Sequence, residues 1–326
     1  TDDDNYKITI QYANTTQISG GASESGGKAG SEILDNVTIE APNIYAGVGL
    51  ANNIVSKSFS MSHAKLIVFS KEIAEKGVKD MIETLVRSEE IRPDVFIAVA
   101  NTTANDYLTS VNPEMEVNPA QYYQLIYQKN QLVGIPDGQL REFFTGLYTD
   151  NYDSILPVAG VIEGSGSNRQ NDDKGQSKDG QNEGSEGSSE SLDSFESKSS
   201  DDKDENEKEK DAEKNTSKYE YDIKNYVGGE TAIEKKNKAE AIGAAVFEKD
   251  KMVGELGEVE TEICKILKGD YTYSYLTYYN NDTPDIPITV KTTQQKKPKY
   301  KIDTDKKTVD IELYIESDLY SLPADY

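Results

Sequence analysis

Tryptophan is absent from this 326-residue chain, and cysteine and histidine occur once each, as Cys264 and His63. A single thiol excludes an internal disulfide and any zinc site built from several cysteines. Basic residues are scarce too: 35 Lys and Arg stand against 59 Asp and Glu, for a formal net charge of −24. A protein that tracks a nucleic-acid backbone needs a basic face. No Lys/Arg stripe with interleaved aromatics occurs, so nucleic acid is excluded as a partner. No apolar run approaches the ~20 residues with which a helix crosses a bilayer; the longest runs are strand-sized. No signal peptide is present, and the opening TDDDNYKITIQY enters a strand almost at once. That is expected of an excised or mature segment, so the missing signal says nothing about location.

The chain's length predicts two or three domains, and the sequence divides into regions at composition changes. In residues 1–163, YKITIQY alternates apolar and polar residues, the period of a half-buried strand. VTIEA at 37–41 reads as a short strand, and NIYAGVGLANNIVSKSF has apolar residues at helical spacing. The Gly/Ser-rich stretch 19–31 reads as a loop. AKLIVFS (64–70) and DVFIAVA (94–100) are continuous apolar runs, as expected of strands covered on both faces. Between them a helix is expected, capped by Ser70, with Ile73, Val78, Ile82 and Val86 on one broad face. Strand, helix and strand together predict a parallel pair with a right-handed crossover. Further helices are expected near 103–110, 118–130 and 138–148, and a strand at 155–163.

Residues 164–218 are almost devoid of large apolar side chains, Leu192 and Phe195 excepted. Such a stretch cannot bury enough surface to offset its ordering entropy, so a disordered acidic linker is expected. After it, AIGAAVFEKDKMVGEL reads as a hairpin and VETEICKILKG as a helix ended by Gly269. PITVKTT, KYKIDTD and KTVDIELYIESDL alternate at period two and read as strands. The fold class is therefore α+β and multidomain. An N-terminal mixed α/β domain (1–163) precedes the linker (164–218), a β-hairpin-plus-helix domain (219–285) and the start of a truncated C-terminal domain (286–326).

His63 invites a catalytic reading beside Ser60 and Ser62, but neither serine sits in a G-x-S-x-G turn. A polar residue at a strand entry, donating to a neighbouring carbonyl, is the reading preferred. Gly47 and Gly49 evoke a phosphate loop without its third glycine or its preceding strand, which points instead to a tightly packed helix. Cys264, near Ile263 and Leu267, reads as a buried inert thiol. No carboxylate pair is spaced for acid–base chemistry, and no catalytic, cofactor or metal residue is assigned. The run DYTYSYLTYYNNDTPD is different. Alternating tyrosines mark an exposed strand or wet interface, because the ring buries while the hydroxyl stays hydrated. Tyr273, Tyr275 and Tyr278 are the candidate partner surface.

Two stretches resemble a known family. SFSMSHAKLIVFSKEIAEKGVKDMIETLVRSEEIRPDVFIAVAN resembles the block of the Ger(x)C spore-germination lipoproteins in which a histidine precedes an apolar strand, a helix and a second strand. AIGAAVFEKDKMVGELGEVET resembles the hairpin of that family's middle domain. The resemblance covers most of 1–163 and 238–326. It implies the C subunit of a nutrient germinant receptor, not an enzyme, whose partners are integral-membrane receptor subunits. It further implies a lipid anchor on an N-terminal cysteine at the outer face of the inner spore membrane. This chain departs from the pattern: it contains no lipobox cysteine, Cys264 lies too deep to be the anchor, and the acidic linker is long. Two other classes compete. An extracytoplasmic solute-binding protein needs a cleft between lobes with convergent polar groups. A hydrolase needs a nucleophile and a carboxylate within reach of His63.

Overall fold

The computed structural model describes residues 5–13, 34–55, 58–113, 116, 119–128, 134–162, 225–231, 237–280 and 283–321. The loop expected at 19–31 and the linker expected at 164–218 lie outside these residues. Every described element belongs to one unit, built from Thr1–Ser165 and Tyr221–Tyr326.

Three sheets organise this unit, and the expected α+β class is what the chain adopts. The first is a ribbon of β1 (Tyr6–Ala13) and β2 (Leu34–Ala41), antiparallel from Tyr6↔Ala41 to Ala13↔Leu34. Helix α1 (Ile44–Ala51) follows, capped by Asn43, whose Oδ1 accepts the Ala46 amide at 2.9 Å. A single 3-10 turn, Met61–His63, leads into β3 (Leu66–Ser70).

The central sheet has five strands in the order β3, β4 (Phe96–Ala100), β5 (Ser154–Val161), β6 (Ala239–Glu248), β7 (Lys251–Leu256). The first three are parallel, as the strand–helix–strand pattern predicts; β6 and β7 add antiparallel. All five residues of β4 are buried. Its alternate side chains feed two cores: Ile97 and Val99 join Phe69, Ile82, Leu156 and Phe247, while Phe96 joins Tyr107 and Tyr127 on the other face. A strand buried on both faces has to be apolar throughout, which is why the run was legible.

One expected helix becomes two. α2 (Lys71–Lys76) and α3 (Lys79–Val86) are separated at Gly77, whose φ of +123° no L side chain adopts easily. The break lets the Val78 amide reach the Asp250 carbonyl in the β6–β7 turn at 3.0 Å. Within α3, Leu85 rather than Val86 is buried with Ile82. Ser70 precedes α2, but its side chain makes no capping bond. The other expected helices are α4 (Ala104–Ser110), capped by Thr103, α5 (Pro119–Gln128) and α6 (Leu140–Leu147).

The hairpin assigned from sequence to a domain after the linker is β6–β7, and it pairs with β5 of the first segment from Ser154↔Phe247 to Val161↔Ala239. The border expected near 163–219 therefore does not interrupt the sheet. Residues 225–231 close against it. Gly228 and Gly229 pass so near Gly160 that a Cβ there would collide with their backbone. Asn101 clamps the crossing, donating to the Gly228 carbonyl at 2.7 Å and accepting from the Val161 amide at 3.3 Å.

The third sheet has the order β10 (Thr308–Ser321), β9 (Thr283–Asp303), β8 (Tyr273–Asn280), with α7 (Glu258–Lys268) on one face. PITVKTT and KYKIDTD, read as separate strands, form the single strand β9. Pro298 is accommodated because the ladder shifts register between Glu312↔Lys299 and Tyr314↔Lys296, so its missing amide falls at a bulge.

Candidate interaction surfaces

His63 ends the 3-10 turn in an exposed position. Ser60 Oγ lies 2.9 Å from Ser62 Oγ and accepts the Ser62 amide, and neither serine bonds to the imidazole. Among the described residues His63 has no hydrogen-bond partner, so the carbonyl acceptor expected from sequence is not there either. Among the described residues no group of His, Cys, Asp and Glu could hold a metal ion. No described helix is long and apolar enough to cross a membrane.

α7 turns its polar residues inward. Thr261, Glu262 and Lys265 are buried with Ile266, whereas Ile263 is 51% exposed and Cys264 only half-buried. The apolar side read from Ile263, Cys264 and Leu267 is thus not the side that packs. The reason lies in the sheet below, which offers hydroxyls and amides. Ser274 Oγ donates to Glu262 Oε2 at 2.9 Å and lies 2.6 Å from the Tyr271 hydroxyl, and Gln294 Nε2 donates to the Ile266 carbonyl at 2.8 Å. Burial raises the Glu262 carboxyl above its ordinary range, against the pull of Ser274. Burial also lowers Lys265 to about 8, although Glu262 and Asp270 attract its charge. Both groups move toward neutrality, the direction desolvation dictates when it outweighs attraction.

The opposite face of this sheet is the aromatic one. Alternation along β8 puts Ser274 on the α7 side and Tyr273 and Tyr275 on the outer side. Tyr278 falls with Ser274, so the candidate tyrosines do not share a face. Tyr273 and Tyr275 meet edge-on at 6.3 Å between ring centroids. Tyr275 packs at 5.1 Å against Tyr320 of β10, which the sequence reading did not include. The two hydroxyls share a hydrogen bond, which raises Tyr275 above its ordinary pKa. Lysines sit over two rings of this sheet: Lys291 lies 4.6 Å from Tyr273, and Lys296 and Lys299 lie 5.0 Å and 5.2 Å from Tyr314 of β10. Tyr275 and Tyr320 remain 53% and 58% exposed. Beyond α7, the inner face also leaves Ile302, Val309, Ile311, Ile315 and Leu319 exposed. A signal for Tyr320 exists in the period-two pattern of β10, but its pairing across β9 depends on register, which the sequence leaves open.

Family models match both folded segments. The Spore germination protein N-terminal domain matches residues 1–161, and the Spore germination B3/GerAC like, C-terminal domain matches residues 242–326. The chain is 27% identical over 104 residues to the spore germination protein GerQC of Bacillus cereus, an alignment covering 32% of this chain and 29% of that protein. It is 24% identical over 118 residues to YfkR of Bacillus subtilis (strain 168), a protein named for spore germination, covering 36% of this chain and 30% of that one. The matched stretches thus span less than a third of these relatives. The crystal structure of the GerBC protein aligns with a TM-score of 0.44 and 13% identity over 98% of this chain and 70% of that chain.

Proposed function

This chain belongs to the GerAC-like family of spore germination proteins, and from that premise we propose that it is a non-enzymatic subunit of a nutrient germinant receptor. It acts by protein–protein contacts with integral-membrane receptor subunits. The observation that carries this reading is that N- and C-terminal models of one germination family match in order, on residues 1–161 and 242–326. The isolated position of His63 supports the non-enzymatic part. A solute-binding protein closes a cleft between lobes, and the continuous pairing of β5 with β6 speaks against two lobes hinged at the linker. The resemblance carries the rest of the proposal: attachment by lipid on an N-terminal cysteine of the precursor, at the outer face of the inner spore membrane.

The outer face of the third sheet is the proposed partner surface, with Tyr273 and Tyr275 joined by Tyr320 in place of Tyr278. The exposed rings of Tyr275 and Tyr320, beside the half-buried, lysine-covered Tyr273, supply contact area that desolvates at low entropic cost. The test is co-purification from spore inner membranes of the full-length precursor, tagged and with its native N-terminus. Recovery with two integral membrane subunits supports the reading, and recovery as a free monomer overturns it. In the same preparation, combined replacement of Tyr273, Tyr275 and Tyr320 by alanine should release those subunits. Intact assembly would remove this face as the contact.

A further inference from the structure

A groove of about 610 Å³ runs between one face of α1, the chain at Phe59–Met61 and the turn after α3. Its α1 wall is Tyr45, Val48, Gly49 and Asn52, whose i, i+3, i+4, i+7 spacing marks one helix face. Phe59 is fixed there because its amide donates to Asn52 Oδ1 at 2.6 Å and its ring packs 5.1 Å from Tyr12. Among the described residues the space over Gly49 is open: a Cβ built there meets no atom within 4 Å.

The charges at the rim are unequal. Arg87 is already paired with Glu83 at 2.6 Å, and Glu83 also accepts from the Tyr148 hydroxyl. Glu90 accepts only the Met61 amide, at 3.0 Å, and Glu89 makes no hydrogen bond or ion pair among the described residues. Among the described residues the rim therefore presents more negative than positive charge beside the rings of Tyr45 and Phe59, a setting that attracts a cation both through carboxylate and through ring faces. Small-molecule sites enclose most of their ligand. This groove is open along one side, which suits a chain passing through it.

We propose that the groove binds an extended segment of a partner protein that carries a lysine or arginine next to an apolar side chain. The cationic head would meet Glu89 and Glu90, and the apolar neighbour would lie over Gly49 against Val48 and Met61. This inference stands apart from the receptor reading, because its test uses the isolated chain without any receptor subunit.

The test uses the full 326-residue chain and a fluorescein-labelled Lys-Leu-Phe-Lys-Leu peptide, followed by fluorescence anisotropy. Glu-Leu-Phe-Glu-Leu is the charge-reversed control, and n-hexylamine the small-amine control. Saturable binding of the basic peptide is expected, with affinity at least about tenfold weaker in Gly49→Leu and in Glu89→Lys. Gly49→Leu fills the groove without altering the net charge of −24, which separates seating in the groove from general attraction to an acidic protein. Leucine also favours the helix, and an unchanged thermal midpoint verifies the fold. Should that midpoint fall, Glu89→Lys, at an exposed position, decides the matter. Absent binding, equal binding of the acidic peptide, or unchanged affinity in both variants overturns the proposal. So does saturation by n-hexylamine but not by the peptide, which would make this a small-amine site.

Discussion

Cutting the chain between β5 and β6 distinguishes one continuous sheet from two domains joined by a linker. If the segments after residue 218 were a separate domain, each piece would keep its own stability. The structure implies the opposite. β6 delivers Phe247 to one core, edge-on to Phe143 at 5.0 Å, and Ala239 and Ala241 to the other. Asn101 and Gly160 lock residues 228–229 onto the end of β5. A covalent tether holds its ends at an effective concentration of about 1 mM. At ~10 µM protein, losing the tether costs RT ln 100, roughly 3 kcal/mol, and about 1.4 kcal/mol more for each tenfold dilution. Exposing the Phe247 site alone would cost about 3–5 kcal/mol, so the pieces should stay together. The assay is a specific protease site in place of Gly184–Gly187, followed by gel filtration and thermal denaturation of the cut protein at several concentrations. One eluting species with a midpoint that falls on dilution is expected. Two species, the larger retaining its helical signal and a concentration-independent midpoint, would refute the reasoning.

Phe247→Ala in the uncut chain should lower unfolding free energy by about 3–5 kcal/mol in urea titration, because the side chain is fully buried between the helices and the sheet; a loss under 1 kcal/mol would mean that the site collapses around the gap. Lys265 gives a pH signature. Its pKa is depressed from 10.5 to about 8 in the folded chain, so the unfolded chain binds a proton that the folded chain has shed between those values. Stability contributed at this site is therefore lowest below pH 8 and rises toward pH 10.5, by at most about 3 kcal/mol. Comparing the natural chain with Lys265→Met cancels the tyrosines, whose buried hydroxyls titrate higher. The stability of the natural chain relative to the variant should rise from pH 8 to 10, and a constant difference would show that the ammonium is hydrated in the fold.

What the sequence made legible was whatever a single period could encode. β4 reads as a buried strand because both its faces meet apolar cores, and β6–β7 reads as a hairpin because polar residues separate two apolar runs. α7 shows where that logic stops. Its apolar residues Ile263 and Leu267 suggest a packing face, yet Ser274 and Gln294 of the sheet beneath, with Tyr271 just before it, offer polar groups, and the helix turns Glu262 to Ser274 and the Ile266 carbonyl to Gln294. A polar face can be the buried one only when a distant segment supplies its partners, and a local pattern contains no information about that segment. The tyrosines make the same point for the candidate site. Alternation along β8 is a local property and separates Tyr278 from Tyr273 and Tyr275 without any structure. The contribution of Tyr320 depends on register across β9, with a shift in the β10–β9 ladder between Leu319 and Ser321. Bulges of that kind are set by how one strand's side chains fit its neighbour's, and they decide which rings stand side by side. The groove beside α1 goes a step further. Tyr45, Val48 and Gly49 share a helix face by spacing, but Phe59 reaches it by the turn after α1, where its amide bonds Asn52, and Glu89 only because β3, α2 and α3 fold the chain back past α1. A surface assembled from such returns is read from the fold, and its chemistry, acidic and aromatic, then states what kind of partner to look for.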